Sequence, residues 1–436
     1  SKGECESFFR RVVAKIKAEK GRDCLRLAYV SSDFGNHPTL DLMQSMFCFH
    51  RTDIELFCIN LCKSDHSGYS RSLISVIEQR AEKRRQKHER KTKHYIEIPE
   101  DVSGKEGAEI IRKLDLDVLV ELNGHTAGSR LDILAHRPAP VQITYLGYPG
   151  SMGSAFIDYV VADKYCIRPS DTHYYTEPIL LMPHCYQVNS FRHAYANVDG
   201  RDKQELRREY GIPDDKVVYC NLGRLGRIDQ DLFDTWLSIL KSVPNSLLWL
   251  YKHPKVAALR LLRRMHEENI SRDRIVFAGP AAPKEDHLRR LAAADVYLDT
   301  LSYNGHTTGS DAVWAGLPMV TMKGETWASR VGHCLAACMD IDGMEAAQSL
   351  EEYKTKAIEL GNNSQKRKEI RTEIMSKRFS NPLFDTERWT RNFEVAVASC
   401  ACLSPRVFPN SKERAEAPLK TAMEGDLLYV PDVAIQ

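Results

Sequence analysis

VYLDTLSYNGHTTGSDAVWAG, residues 296–316, is the stretch whose reading decides the fold. VYLDT is a short apolar run of strand type, and the run through Asp311, Ala312, Val313, Trp314 and Ala315 is of helical type. Between them, two glycines, a histidine and two threonines fill the five positions 305–309. A strand that turns tightly into a helix is half of a βαβ unit. Gly305 and Gly309 remove side chains where backbone must pass close to something. Thr307 or Thr308 is expected to cap the helix, and His306 to add a hydrogen-bond donor. Unpaired N–H groups at such a helix start suit a cap and a phosphate alike, so the turn alone chooses neither.

Working outward, the same rhythm fills most of the chain. LRLAYV (25–30), IELFCIN (54–60), HYIEI (94–98), DVLVEL (117–122), VQITYL (141–146) and YVVAD (159–163) read as strands. Helical patterns lie between them over 40–50, 69–91, 105–114 and 129–136, after an amphipathic helix at 5–19. The pattern stalls over 164–212 and restarts with VVYCNL (217–222), SLLWLY (246–251), RIVFAG (274–279), VYLDT and PMVTM (318–322), with helices between. Two doubly wound α/β halves are expected, with ligands at the carboxyl ends of the strands. The expected division is an N-terminal helix at 1–24, a first Rossmann-like domain at 25–190 and a linker at 191–212. A second domain at 213–380, a returning helix at 381–402 and a tail at 403–436 complete it.

Composition narrows the function classes. In 436 residues, 43% are hydrophobic and 28% charged, and no apolar run approaches the length of a membrane span. A net charge of +2 gives no global attraction to nucleic acid or membrane, so any anion site must be local. The basic run KRRQKHERKTKH (83–94) has no interleaved aromatics and reads as a solvated helix end. Twelve cysteines without a CxxC pair suggest buried apolar residues in a reducing compartment. The start has no apolar signal core, and Ser1 without a preceding methionine suggests a longer parent chain. GxxxxGK[ST], GxGxxG after the first strand and GxSxG are all absent, which removes the P-loop, dehydrogenase and α/β-hydrolase readings. Asp115-Leu116-Asp117 spells DxD but merges into a strand, so no metal site is expected there.

Three loops at corresponding strand ends carry cations. AAPKEDHLRR (281–290) places Lys284, His287 and Arg290 at i, i+3 and i+6, and NLGRLGRID (221–229) carries Arg224 and Arg227. With the turn at 303–311 they are expected to converge on an anionic ligand.

Several segments together match a family. YVSSDFGNHPT (29–39), RPAPVQITYLGYPGSMG (137–153), VPNSLLWL (243–250), APKEDHLRRLAAADVYLDT (282–300), NGHTTGSDAVWAGLPMVTMKGETWASRV (304–331) and FSNPLFDTERWT (379–390) resemble the catalytic region of protein O-linked N-acetylglucosamine transferases. The resemblance runs in order from about residue 25 to 395. It implies a GT-B fold, two Rossmann-like domains facing a cleft, and inverting, metal-independent transfer of GlcNAc from UDP-GlcNAc to protein Ser/Thr hydroxyls. No cofactor is implied beyond the donor substrate. Carried over by position, the backbone of Ala282 and the side chain of Lys284 meet the uracil and phosphate side of UDP, His287 flanks the base and Arg290 supports them. Gly305, His306, Thr307 and Thr308 cradle the diphosphate, and Asp311 accepts from the ribose. His37, Thr126, Leu146, Gly147, Tyr148 and Pro149 face the sugar and acceptor. The catalytic roles fall on His37, Arg227 and Lys284.

Departures from the pattern matter too. The family segment resembles NFNQLYKID where this chain has Asn221 to Asp229, so Arg227 replaces a lysine, Arg224 a neutral amide and Gly226 a tyrosine. The family's tetratricopeptide repeats are not in this sequence, so a repeat domain or adaptor is expected upstream or on another chain. Cytoplasmic or nuclear placement follows from the same resemblance. Two alternatives stand beside this reading. One is a Spindly-like protein O-fucosyltransferase using GDP-fucose, toward which His125 in ELNGHTAG leans. The other is a nucleotide-sugar-binding scaffold whose changed Arg224 and Arg227 have weakened transfer.

Overall fold

The computed structural model describes residues 2–85, 93–198, 201–408, 420–421 and 427–433. They form two compact units: Ser1–Ser190 with Asp385–Gln436, and Phe191–Phe384. Each is built on its own sheet.

The first unit carries β1 (Leu25–Ser31), β2 (Ile54–Asn60), β3 (Tyr95–Glu97), β4 (Val118–Glu121), β5 (Val141–Thr144), β6 (Tyr159–Asp163) and β7 (Ile179–Met182). The strand order is β3-β2-β1-β4-β5-β6-β7, and all these neighbours are parallel. The order reverses between β1 and β4, which opens the loops after those strands to a ligand. Both faces of the sheet are covered, as parallel sheets require. Ala28 and Val30 of β1 face Phe57, Ile59, Ile111 and Ile133. Tyr29 points to the other face, its ring 5.5 Å from that of Phe47 and 6.3 Å from that of Phe393.

Phe393 lies on the helix Thr386–Leu403, which lines this second face. A buried polar chain fixes it there. Tyr29 donates to His50 Nε2 (3.0 Å), and His50 Nδ1–H donates to Glu394 (3.0 Å). Glu394 also accepts from Arg51 N (2.7 Å) and Arg391 (3.0 Å). Burial pushes the His50 pKa down against the pull of Glu394, so the neutral ring donates at one nitrogen and accepts at the other.

The second unit carries β8 (Val217–Asn221), β9 (Ser246–Tyr251), β10 (Ile275–Ala278), β11 (Val296–Leu298) and β12 (Met319–Val320), in the order β10-β9-β8-β11-β12. Its order reverses between β8 and β11, so the Arg224/Arg227 loop and the glycine turn flank the switch point. Trp236 donates to the Tyr353 hydroxyl (3.2 Å), which donates to the Asp299 carbonyl (2.9 Å). Trp314 lies among Phe191, Phe379 and Phe384. The fold class is the expected one: α/β of GT-B type, with two Rossmann-like sheets.

Some expectations need correction. The helix expected over 40–50 is two pieces, Pro38–Met43 and Met46–Phe49. Ser190 Oγ captures Ser45 N (2.9 Å), which diverts a helical hydrogen bond at the break. The stalled stretch hides β7, a four-residue strand too short for periodicity. The 191–212 stretch read as a linker holds helices Phe191–Ala194 and Lys203–Tyr210, and buried Arg207 ties it to Asp295 of the second unit (2.8 Å). The tail contributes β13 (Lys420–Thr421), antiparallel to β14 (Leu427–Tyr429), which pairs parallel to β7. The helix expected over 69–91 is described as Gly68–Arg85; its remainder, and most of the basic run 83–94, lie outside the described residues. Asp117 of the DxD serves the fold: its carboxylate is held by Lys20 (2.8 Å), Arg22 (2.6 and 2.7 Å) and Arg26 N (2.9 Å). Among the described residues, no helix is long and apolar enough to cross a membrane.

Replacing Glu394 by Ala orphans His50 and Arg51 N inside the first unit. We expect a loss of about 1–3 kcal/mol in urea denaturation, and less for Glu394→Gln, which keeps an acceptor. An unchanged midpoint in Glu394→Ala would show that the chain of bonds does not hold the helix.

Candidate active site

In the second unit the glycine turn starts the helix Thr307–Trp314. Its N-cap is His306 with no side-chain cap bond, so neither threonine is the cap: Thr307 and Thr308 are the first two helical residues. Gly309 N and Ser310 N bond back to the carbonyls of Gly305 and His306, both at 3.1 Å. Among the described residues, no group accepts from the N–H of Thr307 or Thr308. Gly305 is required by close approach, because a Cβ there would overlap the Tyr297 hydroxyl.

One turn further on, Asp311 is buried, and the helix Lys284–Arg290 delivers the Lys284 ammonium and the His287 ring to it. Lys284 Nζ donates to Oδ2 at 2.9 Å and lies 2.7 Å from Oδ1. His287 Nε2 lies 3.2 Å from Oδ2. Arg290 bonds to His287 Nδ1 (2.8 Å) and the Gly279 carbonyl (2.7 Å). A guanidinium only donates, so His287 Nδ1 accepts and its proton sits on Nε2, aimed at Asp311. Burial pushes the Asp311 carboxyl up, but Lys284 and His287 outweigh it and hold it below its usual range. Burial likewise lowers His287, partly offset by Asp311. Asp311 Oδ1 nonetheless has no donor in hydrogen-bonding geometry, although it is buried. Its close contact is the ion pair with Lys284 at 2.7 Å, and a carboxylate oxygen keeps a second lone pair that suits an incoming hydroxyl.

Arg227 closes a short turn, Leu225–Arg227. Its guanidinium lies 4.3 Å from the centre of the Tyr303 ring and donates to the Asn304 carbonyl (3.2 Å). His306 stacks on Tyr303, ring centres 4.5 Å apart. The N–H expected of His306 for a ligand is directed elsewhere: Nε2 lies 3.2 Å from the Ala328 carbonyl, and burial lowers the ring's pKa to about 4. A neutral imidazole has one N–H, so the ring offers no second donor. Arg224 and Gly226 are exposed, the Arg224 guanidinium has no hydrogen bond or ion pair among the described residues, and a Cβ at Gly226 would meet nothing. Ala282 stands two residues before Lys284, just ahead of that helix.

In the first unit the expected residues follow β1, β4 and β5. His37 caps Pro38–Met43, its Nδ1 accepting from Thr39 N (3.3 Å). That leaves the half-exposed ring with its proton on Nε2, as a donor. Asp33 Oδ2 stands 3.5 Å from Nδ1; burial raises the Asp33 pKa, and His37 offsets it. Asn123 joins two of these loops by donating to Ser32 Oγ (2.8 Å) and Asp33 (3.1 Å). Thr126 is exposed and bonds to the Asn123 carbonyl (2.8 Å). Leu146 takes a left-handed φ of 68°, and Gly147 beside it has no room for a Cβ against the Leu122 carbonyl. Tyr148 stands edge-on to His125, 5.2 Å between ring centres, and Pro149 follows it. Tyr303, Asn304, Asp33 and Asn123 were not singled out from sequence, although all four lie inside the quoted motifs.

The signature of glycosyl transferase family 41 matches residues 10–205 and 203–393. The chain belongs to glycosyl transferase family 41. Among its relatives, this family-41 chain is 37% identical over 380 residues to the probable UDP-N-acetylglucosamine–peptide N-acetylglucosaminyltransferase SEC of Arabidopsis thaliana, covering 87% of this chain and 37% of that protein. It is 28% identical over 304 residues to the probable UDP-N-acetylglucosamine–peptide N-acetylglucosaminyltransferase SPINDLY of Hordeum vulgare, covering 68% of this chain and 31% of that one. A solved O-GlcNAc transferase from Thermobaculum terrenum superposes with a TM-score of 0.74 at 25% identity, covering 87% of this chain and 68% of that one. The chain spans about two fifths of the length of the curated relatives it matches.

The His306 ring supplies a pH test. Its folded pKa, about 4, lies below the ordinary 6.5, so the stability it confers is present above pH 6.5 and is lost as pH falls through 4. An NMR titration of the ring is expected to turn near 4; a midpoint at 6.5 would contradict the buried, neutral assignment.

Proposed function

We propose that the chain is a glycosyltransferase that moves GlcNAc from UDP-GlcNAc to Ser/Thr hydroxyls of proteins, with inversion and without a metal. The observation that carries the reading is the pair of unaccepted N–H groups on Thr307 and Thr308, one helical turn from the buried Asp311 carboxylate that Lys284 holds ionised. A nucleoside diphosphate presents both complements, phosphate oxygens for the N–H groups and ribose hydroxyls for the carboxylate. Membership of family 41 and the similarity to UDP-N-acetylglucosamine–peptide N-acetylglucosaminyltransferases support the same donor.

In this reading the acceptor hydroxyl oxygen bonds to the anomeric carbon as the bond to the β-phosphate oxygen breaks; the electron pair leaves with UDP, and the hydroxyl proton is released with it. Charge grows on the diphosphate in that step. The helix N–H groups, Arg227 and Lys284 stabilise it, with Lys284 also fixing Asp311 for the ribose. Ala282 and His287 border the base, with Arg290 holding His287. His306 shapes the turn through its stacking on Tyr303 instead of donating to phosphate. His37, as an Nε2–H donor, orients a sugar or acceptor hydroxyl beside Thr126, Leu146, Gly147, Tyr148 and Pro149. The Ser/Thr protein acceptors reach the enzyme through a repeat domain or adaptor, in the cytoplasm or nucleus.

Removing Lys284 deletes a charge-assisted bond, so Lys284→Ala is expected to weaken UDP binding about tenfold to a hundredfold by calorimetry. His306→Ala is expected to weaken it less. Parent-like affinity in both would remove the nucleotide from this turn. Arg227→Lys is expected to keep radiolabelled transfer onto a Ser-rich peptide, and Arg227→Ala to lose about 10²–10³ in kcat. Full turnover in the Ala variant would end the leaving-group role. Preference for GDP over UDP would favour the fucosyl alternative, and UDP binding without transfer the scaffold.

A further inference from the structure

Two buried carboxylates occupy equivalent places in the two sheets. Glu121 ends β4 and Asp299 follows β11, each strand being the neighbour of its unit's first strand across the switch point. One oxygen of Glu121 accepts from Asn123 N (2.5 Å) and Gly124 N (2.7 Å), and one oxygen of Asp299 accepts from Thr300 N (2.9 Å) and Gly305 N (2.7 Å). The other oxygen takes a threonine hydroxyl from the end of the next strand over: Thr144 for Glu121 (3.1 Å) and Thr321 for Asp299 (2.8 Å). The turns so anchored read NGHTAG (123–128) and NGHTTG (304–309). The same device is therefore built twice, around turns of nearly the same sequence.

We propose that Asp299 is the positioning residue of the nucleotide turn: its carboxyl pins Gly305 so that the helix start presents Thr307 and Thr308 N–H to the diphosphate. This rests on the reading of that turn as the UDP site. The pocket around the carboxyl is closed, since a Cβ on Gly332 would overlap both Asp299 Oδ2 and Thr321 Oγ1. Burial raises its pKa to about 7, against the bonds from Gly305, Thr321 and Thr300 and the field of Arg227. The other titratable groups facing it are Tyr297 and Tyr353. With Oδ1 filled by two N–H donors, the proton sits on Oδ2 and points at Thr321 Oγ1, and the turn keeps its shape in both states. A dianionic diphosphate nearby favours the neutral carboxyl, so binding draws a proton onto Asp299 above pH 7. An asparagine reproduces the neutral form, with Oδ1 accepting and Nδ2 donating to Thr321.

The test is calorimetry with UDP-GlcNAc, whose diphosphate does not titrate near neutrality, at about pH 7.5 in two buffers of different ionisation enthalpy. The parent is expected to take up a fraction of a proton, and Asp299→Asn markedly less at an affinity within about threefold of the parent. Asp299→Ala is expected to lose about tenfold or more in affinity and to speed hydrogen exchange at Gly305 N. Unchanged proton uptake in Asp299→Asn, or parent-like affinity in a folded Asp299→Ala, overturns the proposal. Should the Ala variant not fold, the Asn comparison decides. If Lys284→Ala binds UDP-GlcNAc like the parent, the nucleotide reading itself has failed, and faster Gly305 exchange in Asp299→Ala would then still report the pinning.

Discussion

The glycine-turn end of the second unit depends on one constraint: a helix start whose first N–H groups have no acceptor among the described residues. The first N–H groups of a helix need an outside acceptor, and the His306 side chain at the N-cap supplies none. Every neighbouring feature keeps that edge open. Gly305 lets the turn pass against Tyr297, Asp299 pins it from below, and Asn304 holds it by bonding to the Thr300 carbonyl (2.5 Å) and accepting from Gly332 N (2.9 Å). Arg227 and His306 both pack against the Tyr303 ring.

Charge in this region is placed for position more than for stability. Attraction between ions some 4 Å apart is about 4 kcal/mol at an effective dielectric near 20, while desolvating each buried ion costs several kcal/mol. The Lys284–Asp311 pair therefore roughly balances its own burial. What it secures is a carboxylate kept ionised and aimed by His287, which Arg290 holds in turn. In the first unit Glu121 and Asn123 do comparable work with fewer cations, joining the loops after β1 and β4 and holding Gly124 in place.

Much of this was legible in the sequence because it rests on local chemistry. Runs such as IELFCIN and SLLWLY are apolar, rich in strand formers and bounded by polar turns, and they became strands at the expected places. Lys284 and His287 do gather, as their helical spacing suggested, but on Asp311, with Arg290 bonded behind His287. What stayed hidden depends on partners far along the chain. Ser190 breaks the helix at Ser45, and the Ala328 carbonyl takes the His306 proton. Asp299 in VYLDT and Glu121 in VLVEL look like ordinary strand ends until Thr321 and Thr144 arrive from the next strand over. Arg224 and Gly226, the sharpest departures from the family pattern, sit exposed with room around them, where a local reading has least to hold on to.

The most direct measurement is a crystal structure of the chain with UDP bound. The account requires the diphosphate oxygens within hydrogen-bonding distance of Thr307 N and Thr308 N, and a ribose hydroxyl donating to Asp311 Oδ1. UDP bound elsewhere, or Thr307 and Thr308 N facing water while the nucleotide is in place, would contradict it.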